Sequence, residues 1–156
     1  MQFVKESVIH ATPTMVFAFH ERADALQLLT PPWENSRIIE QAQISVIGSR
    51  AIIEARVLGF RLRWIAEHTV YDPPRRFEDV QVKGPFRSWR HRHIVEPHPD
   101  GTVLRDEIDY TPPLGLLGRV AARLLIEPRL RKLFAYRHQV TLEWCQRADR
   151  SLTGSK

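Results

Sequence analysis

The chain has 156 residues, 43% hydrophobic and 26% charged, with a formal net charge of +5 and a single cysteine, Cys145. That length bounds one domain with a buried core, and the composition excludes a disordered or fibrous protein. A lone cysteine excludes an internal disulfide framework, and no apolar run approaches the ~18 residues of a membrane span.

No basic segment followed by an apolar one precedes the first strand pattern, so a cytoplasmic location is expected. Phe3–Ala11 reads as a strand rich in β-forming residues. Thr12-Pro13 then supplies an N-cap hydroxyl and a proline at the first helical position, which predicts a helix over Pro13–His20 and a second over Arg22–Leu29. Thr30-Pro31-Pro32 stops it. Strands are predicted over Ser36–Ile47, Ala51–Leu58, Phe60–Val70, Arg75–Lys83, Phe86–Glu96 and Thr102–Thr111. Gly48-Ser49, Gly59, Asp72-Pro73-Pro74, Gly84-Pro85 and His98–Gly101 punctuate them, the pattern of an antiparallel meander.

Thr111-Pro112-Pro113 ends the sheet, and one long amphipathic helix follows over Leu116–Arg147. Leu117, Val120, Ala121, Leu124 and Leu125 form an apolar stripe that Leu130, Leu133, Phe134, Val140 and Trp144 continue. Pro128 falls between the halves and is expected to kink the helix or break its hydrogen bonding. The class is α+β: a curved antiparallel sheet of about seven strands under a long C-terminal helix. Residues 1–148 form one domain in this reading, and 149–156 a flexible tail. Residues 1–118 carry 14 Lys/Arg against 15 Asp/Glu, so the positive excess sits on the last helix and tail. That helix could meet an anionic membrane or acidic partner, although a solvated outer face is the simpler outcome. Aromatic residues are not interleaved with the charges, so no nucleic acid is expected as a partner.

Strand alternation fixes the inward residues. In Phe86–Glu96, Ser88, Arg90 and Arg92 share the wet face, leaving Trp89, His91, His93 and Val95 to point in. Leu104, Asp106, Ile108 and Tyr110 do so on the next strand. With Pro97 and Thr102 flanking a four-residue turn, the pairs are Trp89 with Tyr110, His91 with Ile108 and His93 with Asp106. His93 and Asp106 then lie within hydrogen-bonding reach. They form either a general acid/base pair, with Asp106 raising the imidazole pKa, or a mutually satisfied buried pair. No motif places a nucleophile or second carboxylate, which favours the latter. Leu62, Trp64, Ala66, His68 and Val70 also share an inward face. The pattern leaves open whether Phe77, Asp79 and Gln81 do. Should they, His68, Asp79 and His91 lie side by side, a conceivable metal site. Pocket histidines more often meet water or ligand oxygens, so neither metal nor cofactor is expected. His91-x-His93 with Glu96 resembles a cupin metal motif, but Glu96 falls on the opposite strand face. Cys145 is a packing residue, and Trp33 either covers the cavity mouth or packs under its loop.

Glu6-Ser7, Val16–His20, Leu28–Trp33, Arg63-Trp64, Ala66-Glu67, Tyr71–Phe77, Gly84-Pro85-Phe86, Trp89-x-His91, Asp106-x-x-x-Tyr110 and Tyr136-Arg137-His138 complete a recognisable set. On these the chain resembles the helix-grip fold of the START-like, or SRPBCC, superfamily, in a bacterial polyketide cyclase/dehydrase-type subgroup. The resemblance implies a largely apolar cavity between sheet and helix. The expected function is binding of a hydrophobic or amphipathic small molecule, such as a lipid, polyketide or isoprenoid. Trp64, Phe77, Trp89, Tyr110 and Trp33 would wall it, and His68, Asp79, Gln81, His91, His93 and Asp106 would meet its polar end. The alternatives are a cyclase/dehydratase or hydrolase-type enzyme with His93 or His91 as base and Asp106 as its partner, and a membrane- or partner-binding protein using the basic helix.

Overall fold

The sheet is entered by β1 (Gln2–Ile9), left for two helices, α1 (Pro13–Glu21) and α2 (Ala25–Leu28), and then completed by six consecutive strands. These are β2 (Ser36–Glu40), β3 (Arg50–Val57), β4 (Phe60–Asp72), β5 (Arg76–Lys83), β6 (Ser88–His98) and β7 (Gly101–Thr111). A short helix α3 (Gly115–Ala121), a π-helical segment (Ala122–Ile126) and α4 (Glu127–Thr153) end the fold. This is a computed structural model that describes residues 1–57 and 60–153. The turn expected at Gly59 lies outside the described residues. So do residues 154–156 of the expected tail, while α4 continues beyond Arg147 to Thr153.

All pairings are antiparallel, in the order β1-β7-β6-β5-β4-β3-β2. The α+β architecture is the one the sequence predicts. The first strand pairs with the last, and α4 lies against β1 while α1 packs on α4, β6 and β7. The Thr12 hydroxyl accepts from the Met15 amide at 3.3 Å, so the predicted cap is made. The β6–β7 turn is tighter than expected: His98 pairs with Gly101, leaving Pro99-Asp100 as the loop. Gly101 has φ of 133°, and a Cβ there would lie 2.3 Å from the Ile9 carbonyl oxygen, so only glycine lets β7 start beside the end of β1.

Three sequence expectations change. β2 stops at Glu40 rather than Ile47, because the next residues bond among themselves: the Gln43 amide donates to Ser49 Oγ at 2.8 Å and the Val46 amide to the Gln43 carbonyl at 3.0 Å. α2 begins at Ala25 rather than Arg22, because Arg22 and Asp24 form a local ion pair ahead of it at 2.7 Å. The third concerns the long helix. Leu117 is 78% exposed and Leu124 70%, with Leu116, Val120 and Leu125 also exposed. The face turned inward is instead Gly118, Ala122, Leu130, Phe134, His138, Thr141 and Cys145.

Gly118 explains the reversal. A Cβ there would stand 1.7 Å from the Pro113 carbonyl oxygen, so the small face of α3 is the one that can approach the double-proline corner. From Gly118 to His138 the inward residues then fall at multiples of four, slower than the 3.6-residue turn, and the wider π turn takes up the difference. That turn ends two residues before Pro128, which has no N–H for the usual bond four residues back, so the predicted local break is observed. Among the described residues no helix is long and apolar enough to cross a membrane.

Two apolar clusters fill the space under α4. Phe3, Trp89, Ile108, Tyr110, Ala122, Leu130 and Phe134 make one. Ile9, Val16, Phe17, Phe77, Val95, Leu104 and Cys145 make the other. Both draw on β6 and β7, one toward each end of the strands, and a polar seam divides them.

Candidate functional site: a histidine–aspartate seam

Along β6 the inward positions run Trp89, His91, His93, Val95, and along β7 they run Tyr110, Ile108, Asp106, Leu104. The register pairs Trp89 with Tyr110, His91 with Ile108 and His93 with Asp106, as predicted. Apolar residues at both ends and polar ones in the middle create the seam. Asp79 enters from β5, opposite both His68 and His91. The face of β5 that alternation leaves open is thereby decided: Asp79 rather than Glu78 joins the row with His68 and His91.

Asp106 is the centre. His91 Nε2 donates to its Oδ1 at 2.8 Å, and His138 Nε2, from α4, donates to Oδ2 at 2.6 Å. His93 Nδ1 lies 2.7 Å from Oδ1 but off the hydrogen-bonding direction. Behind His138, Nδ1 is 2.8 Å from Ser7 Oγ on β1. On the far side of the rings, Asp79 Oδ2 stands 3.4 Å from His91 Nδ1 and 3.9 Å from His93 Nε2. Packing fixes the rings as well: His93 stacks on Phe77 with centroids 4.0 Å apart, and His91 meets the edge of Phe134 at 5.2 Å. Asp79 keeps 15% of its side chain exposed and Asp106 only 4%, so the seam is reached from the Asp79 side.

The two imidazoles, 3.8 Å apart, divide one proton unequally. Burial opposes charge on both. His91 is nevertheless raised to about 9, because it bonds Asp106 and faces Asp79, whereas His93 falls to about 3 through its burial and the His91 cation. Burial acts against Asp106 too, but the imidazoles around it hold its carboxyl well below the ordinary range. Strand alternation alone leads to the expectation that Asp106 raises the pKa of His93. His91 takes that proton instead, since only it makes hydrogen-bonding contact with one carboxylate while facing the other.

The remaining predicted residues divide. Trp64, Trp89 and Tyr110 form an aromatic wall with Phe86, Trp64 meeting Trp89 edge-on at 4.9 Å. His68 is buried on β4, with Nδ1 3.3 Å from the Glu78 carbonyl. Gln81 turns to the β5–β6 connection, donating to the Phe86 carbonyl at 2.8 Å. Trp33 is brought to the outside of α4, against Tyr136 and under Lys132. Three seam residues, His138, His20 and Arg137, are not among the expected site residues, although all lie in the segments that carry the resemblance. His20 Nδ1 donates to the Val16 carbonyl at 2.8 Å, and its burial lowers its pKa. Arg137 donates to the Leu29 carbonyl at 3.1 Å, close enough to Asp79 and Asp106 to feel both charges. The signal for His138 is its position four residues after Phe134 on an otherwise apolar helical row.

A hollow interior is expected between sheet and helix; at the seam the rings are packed against one another instead. Two surface grooves lie beside it. One, of about 460 Å³, runs between β1 and α4 at Phe3, Lys5, Glu127 and Arg131. The other, of about 510 Å³, lies largely on the outer face of β5–β7 at Val80, Ser88, Arg90, Asp109 and Thr111, and touches Trp89 and Tyr110, whose side chains are buried on the opposite face.

Comparison with solved structures gives the same fold. The di-domain aromatase/cyclase StfQ from the steffimycin biosynthetic pathway superposes with a TM-score of 0.75 at 13% identity, over 95% of this chain and 51% of that one. A nucleoside-diphosphate sugar epimerase from Corynebacterium glutamicum gives 0.71 at 26% identity, over 97% of this chain and 30% of that one. TTHA0849 from Thermus thermophilus gives 0.69 at 18% identity, over 92% and 98%. The chain thus spans about half and about a third of the first two. No curated protein matches. The family described as polyketide cyclase / dehydrase and lipid transport matches residues 9–134, most of the sheet and the start of α4. On that match, and with the long helix gripped by a seven-stranded sheet, the chain belongs to the polyketide cyclase/dehydrase and lipid transport family.

Proposed function

We propose that this protein binds a hydrophobic or amphipathic small molecule of lipid, polyketide or isoprenoid type, with its apolar body on the Trp64–Phe86–Trp89–Tyr110 wall and its polar end toward Asp79 and the histidines. One observation carries the reading: a single concave sheet face passes from an aromatic wall to a charged seam along two strands, the polarity order of an amphipathic ligand. The family supports ligand binding at the coarse level. For a cyclase- or dehydratase-type reaction, of the two candidate bases His93 and His91, His91 is raised to about 9 and would serve as an acid.

Quenching of tryptophan fluorescence by a brominated fatty acid tests this. Trp33 and Trp144 lie away from the wall, so a W33F/W144F variant reports on Trp64 and Trp89 alone. Saturable quenching in that variant is expected. Quenching that disappears with Trp33 and Trp144 would overturn the placement.

A second reading rests on the exposed leucines. The face formed by Leu116, Leu117, Val120, Leu124 and Leu125 carries Arg119 and Arg123 among its apolar residues, both exposed. Apolar side chains with flanking arginines suit insertion into an anionic lipid surface, which would set the fold where an amphipathic ligand is exchanged.

A further inference from the structure

We infer that Asp79, His91 and His93 form a binding site for a divalent transition-metal ion of the zinc, cobalt(II) or iron(II) type, with Asp106 as the group that orients both imidazoles.

The three residues each offer a donor atom, and these atoms lie within 4.8 Å of one another. The distances from Asp79 Oδ2, 3.4 Å to His91 Nδ1 and 3.9 Å to His93 Nε2, are near what one ion requires. Donors held about 2.1 Å from a tetrahedral or octahedral ion stand about 3–3.5 Å apart, so the Asp79 distances need about 0.4 Å of adjustment or less, while the two histidine donors, within 4.8 Å of each other, close by up to about 1.3 Å. Two imidazoles and one carboxylate are a donor set for zinc or iron(II), with positions left for water or a ligand oxygen. The partial exposure of Asp79 supplies the opening.

The independent observation is the orientation of the rings. Each histidine turns its other nitrogen, His91 Nε2 and His93 Nδ1, to the same oxygen of Asp106, at 2.8 and 2.7 Å. A carboxylate behind the imidazole is how metal-binding histidines are held and made better donors. His138 in turn fixes Asp106 through its second oxygen. His93 Nδ1 makes no hydrogen bond, although the residue is only 8% exposed. Ligation through Nε2 would leave the ring proton on Nδ1, facing Asp106 Oδ1 at 2.7 Å, while Phe77 holds the ring by stacking. This donor set differs from the His68, Asp79 and His91 row considered from sequence. His93 replaces His68 because it sits beside His91 on the same strand face. The site stands whether or not an organic ligand occupies the aromatic wall.

Cobalt(II) alone, titrated into chelator-treated protein and followed by visible absorption, tests the inference. One ion per chain is expected, with d–d bands of a low-symmetry site, and zinc should displace it. Asp79→Asn and His93→Gln should each weaken cobalt affinity by at least about 100-fold, and Asp106→Asn, a positioning change, by about 10–100-fold. Near-UV circular dichroism checks that each variant retains the fold. Should one of them unfold, the thermal midpoint of the unaltered protein decides in its place: it should rise with equimolar zinc and stay unchanged with magnesium. Absence of any stoichiometric cobalt or zinc binding would overturn the site. So would binding that survives Asp79→Asn and His93→Gln intact, as surface capture by His10 and His98 would.

Discussion

At the scale of single residues, the seam is an electrostatic arrangement before it is anything else. Two carboxylates, Asp79 and Asp106, face one imidazolium, His91, and the Arg137 guanidinium lies close by, so the buried charges come near to cancelling. That balance is pH-dependent with a defined sign. His91 is raised to about 9 in the folded protein from an ordinary value of 6.5. Its contribution to stability is therefore fully present below about 6.5 and is lost as pH rises through about 9. Urea unfolding at pH 7 and pH 9.5 is expected to show a loss on the order of 2 kcal/mol in the unaltered protein that is absent in His91→Gln. Equal pH dependence in the two proteins would mean that His91 does not carry the proton. How much of this is legible beforehand follows from period two. Alternation along Phe86–Glu96 and Thr102–Thr111 yields the pairing of His93 with Asp106 because arginines at 90 and 92 declare the wet face. The fate of the proton is not legible, since it depends on Asp79, which reaches His91 from β5, and on which imidazole meets Asp106 in hydrogen-bonding geometry.

At the scale of elements, the helical region shows what hydrophobic patterning leaves undecided. Leu117, Val120, Leu124 and Leu125 define an apolar stripe by their spacing, but spacing cannot say whether the fold has surface left to receive it. The decisive residues are the small ones. Gly118 allows the backbone to approach the Pro112-Pro113 corner and Ala122 is buried in the aromatic cluster, and so the leucines are turned outward. Such a face calls for a partner of matching chemistry, and Arg119 and Arg123 favour an anionic bilayer. Co-sedimentation with phosphatidylglycerol-containing vesicles is expected, weakened by salt. A Leu117→Ser/Leu124→Ser variant should bind at least about tenfold less while its unfolding free energy stays within about 0.5 kcal/mol per site, because neither side chain is buried. Vesicle binding that is unaffected by the two serines, or no binding at all, would contradict the second reading. The strands are more completely legible, since β4 to β7 are bounded by Pro and Gly turns. β2 is the exception: Gln41–Ile47 has strand-like composition but bonds locally through Ser49.

At the scale of the whole molecule, the interior under the long helix holds two apolar clusters with a charged seam between them. The family resemblance anticipates sheet, helix and grip. It does not anticipate that the seam is packed by its own rings, because ring stacking of His93 on Phe77 and of His91 against Phe134 is settled by tertiary distances that no spacing encodes. Everything proposed for the protein as a whole rests on capture of an amphipathic molecule by this face. Native mass spectrometry of the protein purified from its own host, compared with the same sample under denaturing conditions, puts that capture to the test. The expected result is a complex carrying the added mass of one organic molecule, released on denaturation and lost in Trp89→Ala. A chain that emerges at its bare mass from that host, with the tryptophan fluorescence of the W33F/W144F variant indifferent to brominated fatty acid, would contradict it.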